Sequence, residues 1–518
     1  MNEVAGKSGL HYWLVFCCVV FVAWRVLCFG TPTFSIYQLR VLFILIVLIT
    51  LFNRYSPVEN FLVIFIFSYL LVSVPVFSMV KLELGEQGTD FALFCHLFWN
   101  VSTGEGLVST IHQPSRMEYL KHHFSPALFA LGWIANFFSS PEFFTLTLNT
   151  TLIPLNFLLV YRLFKNYDVN NLVAGGLLCY LYLLAPVRNH LYYDFREEIL
   201  GLPLVLTSLL FIARSKTISS LCAIGLFFIK ENLAFIGGVI HLILGLTEKS
   251  LKLKFFFLVV SVSAIFFPYF YGIVQKTILN HPSFFDLRTQ NFLSESWFFL
   301  KLDFFEKFLQ SIWIFLPVIF NMWNSAHNIK HILLFLFICS LIPSVFTSHE
   351  YLGRFYSYYG LYPSVFFVLL LGVIFARVRH RNICSLVILT VACVFASYVS
   401  PRENLWAYLQ EYFSSSKNPR DLVFDVTRKK DTANNEDKDL VLATFRALSL
   451  VCSVNNLSRL SFFQKSPNKA WLIIVDRRDI GYPDERRMAK WIEKITKTHE
   501  LVGQSRHTLV FTRKNSGS

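Results

Sequence analysis

The chain has 518 residues, 54% of them hydrophobic, 17% aromatic and only 15% charged, with a mean hydropathy of +0.51 and a formal net charge of +14. That balance excludes a disordered chain and an ordinary soluble enzyme, and it describes a polytopic α-helical membrane protein. Of the ten Cys, Cys17, Cys18, Cys28, Cys179, Cys222, Cys339, Cys384 and Cys393 lie in apolar runs and none forms a CxxC pair, which argues against a disulfide scaffold and a zinc site.

Lys7 precedes an apolar run from His11 to Ala23, but Arg25 and the lack of a small-x-small site favour a retained first span over a cleaved signal. Runs long enough to cross the hydrocarbon core follow at roughly 10–29, 36–53, 60–80, 143–165, 171–187 and 199–213. The apolar stretch from Ile218 to Leu246 is interrupted by Lys230-Glu231-Asn232, which predicts two short helices meeting there. Further runs lie near 255–274, 308–324, 331–347, 360–376 and 383–400. Ser125 to Phe138 is too short to cross and reads as a re-entrant or interfacial helix on the outer face.

The basic residues set the expected orientation. Placing Lys7, Arg54, Arg162, Lys165, Arg214, Lys216, Lys249, Lys252, Lys254, Arg377, Arg379 and Arg381 in the cytoplasm requires about thirteen spans, a cytoplasmic N-terminus and an outer C-terminus. The expected outer loops are then about 81–123, 188–198, 230–232 and 348–359. Residues 1–400 form the membrane domain. From Pro401 onward the composition turns polar, with 21 Lys and Arg against 14 Asp and Glu. Strand-like runs at 440–444, 470–476 and 507–512, with a helix-like 485–496, predict a small soluble α/β domain over 401–518 on the outer side, entered through a polar linker at 417–438.

Four outer loops would gather ionisable residues on one face: Asp90, His96, His122 and His123; Asp194, Arg196, Glu197 and Glu198; Lys230 and Glu231; and His349, Glu350, Arg354, Tyr356, Tyr358 and Tyr359. Any one of these reads equally well as a side chain snorkelling to the interface. The Lys230-Glu231 pair is different, because charges that break an apolar run need partners or a wet cavity.

The same residues carry a resemblance. Asp90-Phe91-x-x-Phe94, Trp99-Asn100, His123-Phe124-Ser125-Pro126, Asp194-Phe195-Arg196-Glu197-Glu198 and Lys230-Glu231-Asn232, in this order, resemble the bacterial membrane family called domain of unknown function 2079. Arg196-Glu197 stands where that family has His-Pro, and Asn232 where it has an acid. Its layout is similar to the membrane glycosyltransferases of the C type (GT-C), which use polyprenyl-phosphate-linked sugars. The resemblance implies an inverting glycosyltransferase in a bacterial inner membrane, moving sugar to an envelope glycan, lipid or protein acceptor on the outer face. In that scheme Asp90 is the base or a metal ligand, Glu197 or Glu198 supplies a second carboxylate, and Lys230 and Arg354 neutralise the lipid phosphate. His122, His123, Asp194, Arg196, Glu231 and Tyr356 would line the substrate site. The cofactor stays open between none and a divalent metal. The expected partners are the lipid bilayer, the lipid-linked sugar and its acceptor, and no nucleic acid. A lipid or solute transporter or flippase, or a non-enzymatic scaffold, remains the alternative, although no internal repeat supports two rocking halves.

Overall fold

The structure, a computed structural model, describes residues 60–84, 87, 89–111, 117–138, 140–184, 186–188, 195–281, 329–346 and 360–376, with a few positions between 301 and 323. In the tail it describes 419–423, 440–443, 457–459, 470–476, 492–505 and 508–514. The expected spans at 10–29, 36–53 and 383–400, almost all of 308–324, and the loop at 348–359 lie outside these residues, as do Asp194, Arg354 and Tyr356.

The described membrane part is helical. In chain order it comprises α1 (Phe61–Glu83), α2 (Thr89–Ser102), a two-stranded hairpin β1 (Val108–Ser109) and β2 (Met117–Glu118), α3 (Tyr119–His122), α4 (Ala127–Ala135) and α5 (Pro141–Asn166). It continues with α6 (Asn171–Leu183), α7 (Glu198–Phe211), α8 (Lys216–Gly225), α9 (Glu231–Thr247), α10 (Leu251–Thr277), α11 (Ile329–Phe346) and α12 (Leu361–Phe375). Among the described residues, α1, α5 and α10 are long and apolar enough to cross a membrane.

Local chemistry explains where several helices start. The Ser140 hydroxyl accepts from the Phe143 amide with Pro141 at the first helical position, Asn170 accepts from Val173, and Ser215 accepts from Ile218. The expected break at residue 230 is present. After α8 a 3₁₀ turn covers Leu226–Phe228, Lys230 is extended, and α9 begins at Glu231. One expectation is corrected: the stretch 81–123 is not a forty-residue polar loop. Phe91, Leu93, Phe94, Leu97, Phe98 and Val101 are buried, and burying that many apolar side chains makes 89–102 a packed helix.

Polar contacts sort the helix ends into two poles. At one, Asn171 on α6 meets Asn60 at the start of α1, Lys165 at the end of α5 donates to Asn171 at 2.9 Å, and Arg214 donates to Asn166 at 3.1 Å. Lys216 at the start of α8 pairs with Glu248 beyond α9 at 2.9 Å. At the other pole, Tyr362 on α12 donates to the Glu198 carbonyl at 2.8 Å, so the starts of α7 and α12 lie together. Gln275 near the end of α10 donates to the carbonyls of Lys121 and His122 at 3.0 and 2.9 Å. The first pole carries Arg162, Lys165, Arg214, Lys216 and Lys249, and the second carries the acidic starts of α7 and α9.

In the tail, β3 (Leu440–Ala443), β4 (Leu457–Arg459), β5 (Ala470–Asp476), β6 (His499–Gln504) and β7 (Thr508–Arg513) form one sheet of order β4-β3-β5-β7-β6. β3 runs parallel to β4 and β5, and β7 is antiparallel to β5 and β6. Alternation splits its two faces. Val441, Ala443, Leu472, Ile474 and Val510 share a core with Leu422 and Val423, while Leu442, Ile473, Val475, Leu509 and Phe511 pack with Ile495. Arg420 in the helical turn 419–423 reaches Glu83 at the end of α1 at 2.8 Å. This contact sets the tail against the acidic pole.

Helices α8 and α9 touch through Gly237, where a Cβ would lie 2.6 Å from the Ala223 carbonyl oxygen. Gly237→Val must force the two helices apart, and we expect it to destabilise the protein by about 1–3 kcal/mol. Thermal unfolding of the detergent-solubilised protein measures this, and an unchanged midpoint would contradict the packing described.

Candidate functional site

Four described helices begin at the acidic pole with a carboxylate in the first turn: Asp90 on α2, Glu142 on α5, Glu198 on α7 and Glu231 on α9. The partial positive charge of a helix N-terminus favours an acid there. Glu197 and Glu198 are consecutive and reach the same cation. The Lys230 Nζ lies 3.1 Å from Glu197 Oε2 and 2.8 Å from Glu198 Oε1. All three side chains are buried, so the pair of acids is what permits a lysine inside the apolar run.

The cluster extends through the segment before α4. The Tyr119 hydroxyl donates to Glu197 Oε1 at 2.5 Å, and the Ser125 hydroxyl reaches the same oxygen at 3.3 Å. His123 Nδ1 is 2.9 Å from Glu231 Oε1, and the Phe124 amide donates to Glu231 Oε2 at 3.0 Å. Burial and then the Glu197 charge push the Tyr119 phenol well above its usual range, so it stays the neutral donor. For Glu197, burial opposes ionisation. The charges of Lys230 and His123, with the hydrogen bonds from Tyr119 and Lys230, outweigh it and hold the carboxyl below its usual range.

Asp90 stands apart. It pairs with Arg196, the residue preceding the buried acids, and the two side chains remain 23% and 26% exposed. Phe94, one turn along α2, packs edge-on against Tyr119 and Phe195 with ring centroids 6.1 and 5.1 Å apart, and so joins the exposed pair to the buried cluster. The partly exposed pair thus borders a buried charged core.

Of the residues singled out in the sequence, Glu197, Glu198, Lys230, Glu231 and His123 come together, and Asp90 joins Arg196 beside them. His122 turns away and meets His281, with ring centroids 4.0 Å apart. His96 is buried and 3.1 Å from the Ser109 hydroxyl. The buried acids and Lys230 sit at helix starts rather than in the exposed loops expected at 188–198 and 230–232. Tyr119, Tyr362 and Gln275 were not anticipated; Tyr119 lies four residues before His123, which the HFSP-like motif already marked. Among the described residues no group of three His, Cys, Asp or Glu side chains could hold a metal ion.

No protein-family model matches the chain, and no curated protein matches it. Among solved structures, the cryo-EM structure of the arabinofuranosyltransferase AftD from Mycobacteria is similar, with 11% identity and a TM-score of 0.46. The match covers 87% of this chain and 40% of that one, so this chain spans about two fifths of that protein's length. A likeness this loose assigns neither a fold nor an activity.

Removing Lys230 leaves two buried acids unpaired, so Lys230→Met is expected to destabilise the protein by about 3–5 kcal/mol. Lys230→Met combined with Glu197→Gln and Glu198→Gln should recover much of that loss in the same unfolding assay; three additive losses would show that the residues do not act as one unit. The depressed Glu197 value also fixes a pH effect. Its contribution to stability is complete above the ordinary carboxylate pKa of about 4.3 and is lost as pH falls through the lower folded value. Glu197→Gln should flatten that acid limb of the stability profile.

Proposed function

We propose that this membrane protein is a glycosyltransferase that moves a sugar from a polyprenyl-phosphate donor to a hydroxyl acceptor at the acidic pole, with Asp90 as base and Arg196 as the partner of the donor phosphate. The observation that carries this is the division of labour among the carboxylates. Glu197 is held by Lys230, Tyr119 and Ser125, Glu198 by Lys230, and Glu231 by His123 and Phe124, whereas Asp90 sits on the exposed border and its partner is a guanidinium. A guanidinium binds carboxylate and phosphate through the same planar fork, so a donor phosphate can take Arg196 from Asp90.

The acceptor oxygen forms a bond to the anomeric carbon as the carbon–oxygen bond to phosphate breaks, the bonding pair leaves with the phosphate, and the acceptor proton passes to Asp90. Attack opposite the leaving group inverts the anomeric centre. In this reading Lys230 and its acids are positioning residues, and His122 has no part.

The orientation belongs to the same proposal. The acidic pole and the tail face the outside of a bacterial inner membrane, and the basic pole faces the cytoplasm, as the positive-inside rule directs. A reporter fused after Lys514 that is active only in the cytoplasm should be silent; an active one overturns the orientation.

Asp90→Asn keeps size and shape and removes the base. In cells we expect envelope-glycan and lipid-linked sugar profiles like those of a strain lacking the protein, with normal membrane abundance of the variant. Glu197→Gln should lower abundance first. A fully active Asp90→Asn variant would remove Asp90 from the chemistry, and profiles unchanged even when the protein is absent would exclude the glycosyltransferase reading.

A further inference from the structure

We propose that α4 lies in the interfacial zone of the bilayer leaflet at the acidic pole, with Phe129, Trp133 and Phe137 inserted among lipid. Residues 127–138 carry no charge, and the nine residues of α4 span about 14 Å, far short of a hydrocarbon core of about 30 Å. One face of α4 is spoken for: Leu128, Gly132 and Ala135 are buried, and Gly132 lies so close to Val101 of α2 that a Cβ would sit 2.6 Å from that side chain. The opposite face is exposed among the described residues. Trp133 is 65% and Phe137 88% exposed, and Phe129 and Ile134 are nearly half exposed.

The height of α4 in the bundle identifies what covers that face. Its entry is fixed at the acidic pole, because His123 and Phe124 hold Glu231 and Ser125 reaches Glu197. Its exit is fixed at the same level, because Ser140 caps the start of the membrane-crossing α5. The aromatic face meets the exposed side of α5 at Phe143: Phe138 contacts Phe143 with ring centroids 6.3 Å apart, and Phe143, Leu155 and Leu158 are exposed along that span. A face continuous with a lipid-facing span and level with the span's end is in the interfacial zone, where Trp is favoured because one edge of its ring is apolar and the other carries an N–H. The consequence concerns Asp90. The helix that carries it, α2, rests on an element dipped in lipid, so a substrate with an apolar tail arrives beside α2 without leaving the membrane.

The test uses the full chain in nanodiscs and does not depend on any activity. Subtracting the emission of Trp133→Phe from that of the wild type isolates Trp133, and the substitution is mild because the ring makes little buried contact. Phosphatidylcholine brominated high in its acyl chains should quench the Trp133 component more than lipid brominated near the chain ends, and aqueous iodide should leave it largely intact. Quenching by iodide without quenching by bromine would place α4 in water, and resistance to both would place it under protein, the tail or a second copy. Either result overturns the proposal, while glycosyl transfer could still hold.

Discussion

The structure of the acidic pole depends on one buried ammonium. Lys230 interrupts an apolar stretch that would otherwise continue as one helix, and a lone charge there would cost several kilocalories. Glu197 and Glu198 offset that cost together, at 3.1 and 2.8 Å, and doing so requires the starts of α7 and α9 to meet. Once they meet, the remaining acceptors fix what surrounds them. Glu197 takes Tyr119 and Ser125, Glu231 takes His123 and the Phe124 amide, and the Glu198 carbonyl takes Tyr362 from α12. Four segments far apart in sequence, 119–125, 197–198, 230–231 and the start of α12, are thereby joined by polar contacts that lipid cannot replace.

Glu198 Oε2 is buried and has no hydrogen-bond partner among the described residues, although its sister oxygen holds Lys230. The contrast with Asp90 and Arg196 is one of access. That pair is partly exposed, has one acid and one base, and lies beside the Phe94 ring, which contacts Tyr119 and Phe195. A pair of this kind can open without unfolding what lies beneath it.

The membrane class and the helix break at Lys230 were legible in the sequence, because apolar length and a charge inside it are one-dimensional signals. So were the strands at 440–443 and 470–476, whose alternation survives in the two faces of the sheet. What was hidden is three-dimensional. Residues 89–102 read as loop because Asp90, His96 and Asn100 dilute the hydropathy, yet His96 and Asn100 bond to the β1 segment at Ser109 and Val108 and let α2 bury its Phe side. Glu197 and Glu198 read as equivalent to Asp90, since nothing in their spacing tells a buried carboxylate from an exposed one. Tyr362 belongs to an apolar run, and nothing in that run marks its hydroxyl as the one that reaches Glu198. β4 and β6 carry no clear strand pattern in the sequence, because one is three residues long and the other, His499–Gln504, is mostly exposed at the sheet edge and lacks the alternation of a half-buried strand.

The most direct test is whether the exposed pair recognises a lipid phosphate. Native mass spectrometry of the purified protein with polyprenyl phosphate, without any sugar, measures this for the wild type and for Arg196→Gln. The account predicts a bound lipid on the wild type that is lost or strongly weakened in Arg196→Gln while the unfolding temperature changes little. Equal binding by both proteins would contradict the role given to Arg196 and, with it, the placement of the reaction at Asp90.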